Sequence, residues 1–322
     1  MNINKAKAKL WSRLGARAVY GQAMLEMARV RDDFYAMSAD LCQSSGLVKF
    51  RDEFPDRFIN AGIAEQNMIG IAAGLAKDKR TKIFATSFAP FITMRACEQV
   101  RMNMGYMQLN IKTVGLGSGL VMAQLGNSHF GIEDASVMRS IPGMTVIEPC
   151  DGVEIMKAVE ALCDYESPAY LRLTGGPGIP VVYEEDIDFK IGKAIKIREG
   201  QDICIIGTGT MVYYALRAAD LLKDKRGIEA TVIDMHTIKP LDEEAVKAEL
   251  GKKLLVTIEE ATIIGGLGSA VAECISVEKQ KPMHLMLGIK DCFPHAGSYQ
   301  YLLEQCRLTA EQITEDIMAV LD

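Results

Sequence analysis

Short apolar runs alternate with stretches of helical periodicity along almost the whole chain. This alternation predicts an α/β fold of two domains with mainly parallel sheets, because strands buried on both faces are continuously apolar. In the first half, the predicted strands cover residues 34–39, 82–85, 111–115, 144–148 and 169–173. The helices predicted between them cover residues 18–29, 65–77, 92–104 and 152–164.

The same alternation returns in the second half after an interruption. Predicted strands lie at 202–207, 230–234, 253–258 and 283–288, and predicted helices at 213–222, 243–250 and 267–277. The interruption is rich in glycine, proline and acids, with GGPGIP at 175–180 and EED at 184–186, which is typical of a linker. We therefore predict a first domain at 1–180, a linker at 181–192 and a second domain at 193–322.

Composition excludes several classes of protein. The chain has 322 residues, of which 49% are hydrophobic, and a formal net charge of −6 with no long basic run. This argues against nucleic acid or an anionic membrane as a partner. No segment approaches the roughly 18 consecutive apolar residues that a membrane span needs. The 8 cysteines form no C-x-x-C pair, which predicts reduced thiols in a cytoplasmic protein.

The first fourteen residues are basic but contain no apolar run. Lys5, Lys7, Lys9 and Arg13 stand among alternating small and polar residues. This pattern excludes a secretory signal, and we expect a solvated leader in preference to a transit peptide.

Two glycine-rich turns imitate phosphate-binding loops. The sequence GTG at 207–209 follows a predicted strand and opens a helix, and Asp234 ends the next strand, as in a dinucleotide-binding fingerprint. However, Val212 stands where that fingerprint has its third glycine. We therefore expect a tight strand–helix turn here. We expect the same at GGLGS, residues 265–269, with a phosphate nest as the alternative.

The most specific pattern is NAGIAEQNM at 60–68, in which Glu65 opens an otherwise apolar helix. For an isolated acid, compensation of the helix dipole, worth about 0.3–1 kcal/mol, would be a sufficient explanation. Five further segments follow in order: FATSFAPF at 84–91, RACEQVR at 95–101, NSH at 127–129, IED at 132–134 and MRSIPGM at 138–144. Together these motifs point beyond helix stabilisation.

In this order and spacing, the motifs resemble the pyrimidine-binding domain of transketolases and of the related 1-deoxyxylulose-phosphate synthases. The second half is similar to the transketolase C-terminal domain through HTIKPLD at 236–242 and GGLGS at 265–269. The resemblance covers about residues 17–317. The E1 β subunits of 2-oxoacid dehydrogenases share the architecture but normally lack the E-Q-N run.

The resemblance gives Glu65 a role with thiamine diphosphate. It implies that Glu65 hydrogen-bonds N1′ of the cofactor's aminopyrimidine ring and favours the imino tautomer, whose 4′ nitrogen activates the thiazolium carbon. The cofactor then cleaves a ketose and carries the two-carbon unit to an aldehyde. The neighbouring Ile63, Ala64 and Met68 predict apolar surroundings for the carboxylate.

Three more residues match positions near the cofactor. The resemblance implies that Phe88 and Phe91 pack on the pyrimidine ring, with ordinary core aromatics as the alternative. It places Asp40 at the interface between subunits, close to the cofactor.

Substrate contacts are implied at four positions. His129 matches a histidine that faces the reacting carbon of the substrate. Arg17, Ser44 and Arg172 match the anchors for a sugar phosphate, and two guanidinium groups with a hydroxyl suit that task. Taken singly, each of these three is also compatible with a surface group.

Two departures from the family pattern concern the sugar. Leu125 stands where the family has an acid that meets a sugar hydroxyl, and Gly117 aligns with a second family histidine. The resemblance therefore implies intact activation of the cofactor together with an altered sugar specificity.

The chain contains no G-D-G run, the motif with which this family binds the diphosphate through Mg²⁺. The resemblance thus implies the C-terminal subunit of a split transketolase, which acts on sugar phosphates. It would be active only with an N-terminal subunit that carries G-D-G…N and the metal ligands, assembled as α2β2. Two alternatives stay open: another thiamine diphosphate carboligase, similar to deoxyxylulose-phosphate synthase, and a non-catalytic partner subunit.

Overall fold

The computed structural model describes residues 3–78 and 81–322, so the first two residues of the expected leader lie outside the described part. Its strands are β1 Phe34–Ser38, β2 Phe58–Asn60, β3 Lys82–Phe88, β4 Ile111–Leu116, β5 Thr145–Ile147, β6 Ala169–Leu173, β7 Ile195–Arg198, β8 Ile203–Gly207, β9 Ala230–Asp234, β10 Thr237–Lys239, β11 Leu254–Thr262 and β12 Met283–Ile289. Its α-helices are α1 Lys5–Leu14, α2 Ala16–Ala28, α3 Val48–Glu53, α4 Glu65–Leu75, α5 Cys97–Val100, α6 Asp134–Ser140, α7 Gly152–Asp164, α8 Met211–Arg226, α9 Glu243–Lys247, α10 Leu267–Ile275, α11 Tyr299–Gln305 and α12 Ala310–Leu321. The predicted class, two α/β domains with mainly parallel sheets, is confirmed.

The first sheet has the strand order β10-β5-β6-β4-β3-β1-β2 in the described residues. The strands from the first half of the chain run parallel to one another. The edge strand β10 comes from the second half and pairs antiparallel with β5, with Thr237 opposite Ile147. The two domains therefore interlock through one shared sheet.

The second sheet has the order β12-β11-β8-β9-β7, again for the described part of the chain. Its strands are parallel except β7, which runs antiparallel to β9. Helices α8 and α12 pack on one another, and apolar clusters lie on both faces of the sheet. No helix among the described residues is long and apolar enough to cross a membrane.

The predicted helix at 92–104 is irregular in the structure. Only the four residues of α5 are α-helical, and π-helical turns at Phe91–Arg95 and Arg101–Tyr106 flank them. Such turns are rare and frequently occur at functional sites. Here the first one carries two side chains, Phe91 and Arg95, that take part in the site described below.

The expectation of a solvated leader is wrong. Residues 5–14 form α1, in which the Asn4 side chain accepts the amide of Lys7 at 3.1 Å and caps the helix. Trp11 is only 1% exposed, and its indole nitrogen donates to Gln22 at 3.1 Å. At Gly152, an added Cβ would lie 2.5 Å from the Trp11 Cβ, so this glycine lets α1 pack closely on α7.

Both glycine-rich segments are tight turns, as expected. A Cβ at Gly209 would lie 2.4 Å from a carboxylate oxygen of Glu148, so this acidic side chain packs directly against the turn. At the other turn, the Glu259 carboxylate accepts the amides of Leu267 and Gly268, both at 2.8 Å. It thereby fills the N-terminus of α10, where a phosphate would otherwise bind.

Candidate active site

Most of the predicted site residues follow the carboxyl ends of strands in the first sheet. Asp40 follows β1, Glu65 follows β2, Phe88 ends β3, and His129 lies in the connection after β4. Open parallel sheets bind ligands at this edge, because the connecting loops diverge there and leave a crevice.

Glu65 is the buried acid of this edge. It is 2% exposed and opens α4. One carboxylate oxygen accepts the Ser87 hydroxyl at 2.9 Å, and the other accepts the Arg95 guanidinium at 3.0 Å. The expected apolar surroundings are only partly present, because Met68 is buried whereas Ile63 is 80% exposed. Polar contacts therefore fix the orientation of this carboxylate.

Three rings cluster beside this acid. The ring centroids of Phe88 and Phe91 are 5.9 Å apart, and those of Phe91 and His129 are 5.2 Å apart. The Arg95 guanidinium lies 4.1 Å from the Phe91 centroid and so links the rings to Glu65. Edge-to-face pairs of this kind contribute about 0.5–1.5 kcal/mol beyond area burial. The structure thus brings Glu65, Phe88, Phe91 and His129 into one cluster.

Sequence reasoning missed Arg95 as a member of the site. The residue stands in the segment RACEQVR that carried part of the resemblance, one helical turn after Phe91. That spacing places the two side chains on one face of the helix. The spacing was a usable signal, but the partner acid Glu65 is 30 residues away in the sequence.

Asp40 is an exposed acid with an unusual backbone. Its φ of 58° lies in the left-handed region, which costs free energy in a residue other than glycine and often marks a functional position. The Asn60 side chain accepts the Asp40 amide at 3.0 Å and donates to its carboxylate at 3.2 Å. Asn60, which ends the neighbouring strand β2, therefore holds this backbone conformation, and the Asp40 carboxylate remains exposed.

Arg17 and Ser44 line one cavity of about 270 Å³. Gln43 and the glycine-rich segment at 175–177 also border it. Arg17 is the one cation among the described residues that line the cavity. Two of the three expected phosphate anchors therefore share a cavity, and Arg172 lies elsewhere.

Arg172 as a phosphate anchor is a wrong prediction. The side chain is fully buried in β6, and its Nε donates to both carboxylate oxygens of Asp134 at 3.0 Å. Nη1 donates to Glu148, and Nη2 donates to the carbonyl oxygens of Gly131 at 2.7 Å and Glu260 at 3.0 Å. Burial raises the pKa of Glu148 to about 7, and Arg172 opposes that rise. The guanidinium is thus used within the protein, to neutralise buried acids.

The loop that carries His129 exposes an apolar side chain and is attached to the second domain. Leu125 is 53% exposed, and the Asn127 side chain donates to the Pro294 carbonyl at 2.9 Å, which ties the loop to the second domain. The Ser128 hydroxyl hydrogen-bonds Nδ1 of His129 at 2.9 Å. At Gly117, φ is 63° and an added Cβ would lie 2.6 Å from the Met122 sulfur. A larger side chain there would require this methionine to move.

These residues fit the aminopyrimidine end of thiamine diphosphate. Each Glu65 oxygen accepts one described hydrogen bond and so keeps a lone pair for a ring donor. Phe88 and Phe91 offer aromatic surface within the same cluster.

Comparison with known proteins identifies the family. The model of the transketolase pyrimidine-binding domain matches residues 13–176, and that of the transketolase C-terminal domain matches residues 192–313. A 6-deoxy-6-sulfo-D-fructose transketolase subunit of Clostridium sp. (strain MSTE9) is 42% identical over 298 residues, covering 92% of this chain and 91% of that protein. An apulose-4-phosphate transketolase subunit of Phocaeicola vulgatus is 39% identical over 282 residues, covering 86% and 88%.

A solved structure agrees with these relatives. It is described as a split gene transketolase, an inactive beta4 tetramer, and it superimposes with a TM-score of 0.87 at 37% identity. The superposition covers 95% of this chain and 98% of that one. The chain therefore belongs to the transketolase family, as a transferase subunit that corresponds to the C-terminal half of a split transketolase.

Proposed function

We propose that this chain transfers a two-carbon ketol unit from an anionic ketose to an aldose, together with an N-terminal subunit and thiamine diphosphate. The transketolase family depends on this cofactor, which supplies the nucleophilic carbon and the electron sink for C–C cleavage when bound. The observation that carries the proposal is the buried Glu65, fixed by Ser87 and Arg95 beside aromatic rings at the carboxyl edge of the sheet.

The residues of this chain have separate tasks in the proposal. Glu65 exchanges a proton at N1′ of the aminopyrimidine, while Ser87 and Arg95 keep its carboxylate from rotating. Phe88 and Phe91 pack on the ring. The Ser128 hydroxyl hydrogen-bonds Nδ1 of His129. The other ring nitrogen, Nε2, is therefore the one that hydrogen-bonds a substrate oxygen.

The missing cofactor ligands support a partner subunit. Because the sequence lacks G-D-G, we infer that the N-terminal subunit carries the Mg²⁺ and diphosphate ligands, and we propose an α2β2 heterotetramer with Asp40 at the interface. Relatives named as subunits, and a β-only tetramer described as inactive, support this assembly. The 8 unpaired thiols support a cytoplasmic location.

The Arg17–Ser44 cavity supports an anionic substrate. One guanidinium and one hydroxyl suit a single phosphate or sulfonate at the distal end of a sugar. Relatives named for a sulfo-sugar and for a sugar phosphate support this class of substrate. Leu125 offers no hydrogen bond from its side chain near the reacting end, so we infer a sugar that lacks or rearranges one hydroxyl there.

Reconstitution tests the assembly. The purified chain alone should show no ketol transfer, and activity should appear when the N-terminal subunit, thiamine diphosphate and Mg²⁺ are added. Robust transfer by the single chain would contradict the two-subunit proposal. A reconstituted complex with no turnover on any donor would favour the non-catalytic alternative.

A substrate panel tests specificity on the same complex. Phosphorylated, sulfonated, unmodified and deoxy or branched sugars should be compared as donors and acceptors, with pyruvate as a donor. Arg17→Ala should raise KM for anionic sugars roughly 10–100-fold, because a hydrogen bond to a charged group contributes about 1.5–3 kcal/mol. The matched control is Arg13→Ala, an exposed arginine of α1. Efficient use of pyruvate, or a clear preference for the ordinary pentose phosphates, would refute the specificity argument.

A further inference from the structure

A buried thiol and two buried acids meet between the two domains, outside the cluster around Glu65. Cys150 precedes α7, Glu154 lies in its first turn, and Asp234 ends β9 of the second sheet. The Cys150 sulfur and one carboxylate oxygen from each acid lie within 4.8 Å of one another. All three residues are buried, with Cys150 1% exposed and both acids 0% exposed.

Two carboxylate oxygens in this cluster have no hydrogen-bond partner among the described residues. Glu154 Oε2 accepts the backbone amide of Cys150 at 2.6 Å, and Asp234 Oδ2 accepts the Tyr183 hydroxyl at 2.7 Å. Their second oxygens, Glu154 Oε1 and Asp234 Oδ1, are buried and unpartnered. Since an unsatisfied buried polar atom is costly, these oxygens need either a proton shared within the cluster or a ligand from outside the chain.

The charge of the cluster is unbalanced as well. Two carboxyl groups and a thiol stand together here, and the adjacent Asp151 is a third buried acid. Asp151 itself accepts backbone amides, including those of Val182 and Tyr183 in the linker. When ionised, these buried carboxyl groups need a counter-charge, which a bound cation would supply.

We propose that Cys150, Glu154 and Asp234 bind a divalent cation of the zinc type between the two domains. Zinc accepts thiolate sulfur at about 2.3 Å and carboxylate oxygen at about 2.0–2.2 Å, and ligand atoms that already lie within 4.8 Å of one another need only small movements to reach these distances around one ion. The thiol disfavours Mg²⁺ and Ca²⁺, which prefer oxygen ligands. Binding releases the Cys150 proton.

The Tyr183 hydroxyl then has a defined part in the site. It donates to Asp234 Oδ2, which fixes the orientation of the carboxylate and leaves Oδ1 for the ion. Because Cys150 and Glu154 lie just before and within α7, whereas Asp234 ends β9, the ion would join the two domains directly.

Metal content tests the proposal on the full chain, without partner or thiamine diphosphate, so that the diphosphate site takes no part. After dialysis against Zn²⁺ and removal of loosely bound metal, elemental analysis should find one ion per chain. The Co²⁺ form should show thiolate-to-metal charge-transfer absorption, and Tm should rise with free Zn²⁺.

Variants locate the ion. Cys150→Ala should lose the cobalt absorption, and Asp234→Asn and Glu154→Gln, which keep the shape of each side chain, should lose the ion. Cys204→Ala, which removes an equally buried thiol of β8, should keep both signals. Circular dichroism and gel filtration verify that each variant is folded. If one of the two isosteric variants does not fold, the other still tests the proposal.

Three results would overturn the proposal. The first is a folded wild-type chain that retains no zinc. The second is an unchanged cobalt spectrum in Cys150→Ala. The third is a Tm of Asp234→Asn above that of the wild type together with no effect of zinc on either, because this would show that protons neutralise the cluster.

Discussion

Substitution of Glu65 by glutamine separates its catalytic role from its structural one. Glutamine keeps the size of the side chain, and its carboxamide can accept from Arg95 and donate to the Ser87 oxygen. The ion pair that is lost involves an Arg95 side chain that is 49% exposed, so solvent weakens it. We therefore expect Glu65→Gln to reduce the free energy of unfolding by only roughly 0.5–1 kcal/mol.

The expected effect on catalysis is much larger. A carboxamide cannot exchange the proton at N1′, and general acid–base steps of this kind contribute about 10²–10⁴-fold to the rate. At about 1.36 kcal/mol per tenfold, this corresponds to a barrier about 2.7–5.4 kcal/mol higher. The assay is kcat of the reconstituted complex at saturating thiamine diphosphate, with partner binding followed by gel filtration.

Glu98→Gln is the matched control, since Glu98 is an exposed acid paired with Arg101 after the same π-helical turn. It should leave kcat unchanged. Near-normal turnover in Glu65→Gln would refute the proposed proton exchange at N1′. Compensation of the helix dipole would then be a sufficient role for Glu65. An equal loss in both variants would contradict it too.

Three further substitutions test other contacts. Arg95→Met removes a charged hydrogen bond to Glu65 but keeps the long side chain, and we expect kcat to fall roughly tenfold and to recover in part with Arg95→Lys. Arg172→Met removes the cation that faces two buried carboxylates, and we expect the free energy of unfolding in denaturant to fall by about 3–5 kcal/mol. A loss smaller than about 1 kcal/mol would contradict the buried network. Trp11→Ala should cost about 3–5 kcal/mol by the same measurement, whereas Leu10→Ala on the exposed face of α1 should change little.

The regular strands and helices of the sheets were predictable because their signals are local. Strand β6 spans Ala169–Leu173 and matches the prediction at 169–173, since a short run that is apolar except at Arg172 is typical of a strand buried on both faces. Helix α7 matches the prediction at 152–164, and the Asp151 side chain caps it by accepting the amide of Glu154. The apolar pattern was sufficient for the strand, and periodicity together with the capping residue was sufficient for the helix.

The errors arose where distant residues decide the outcome. Arg172 stands in a buried strand, but its partners Asp134 and Glu148 lie 38 and 24 residues away, so their pairing is not visible locally. Trp11 is buried by contact with the start of α7, which composition at the N-terminus did not reveal. Within the candidate site, the motifs identified Glu65 from the sequence alone. Its contact with Arg95 becomes visible only in the folded chain.

Strand β10 has a consequence for how such an enzyme can be divided into separate polypeptides. Three residues of the second domain complete the sheet of the first, so the edge of β5 would be unpaired and exposed if the two domains were made as separate chains and came apart. Exposed strand edges promote association with other chains. A genetic division that falls outside this pair of domains therefore keeps the edge of β5 covered.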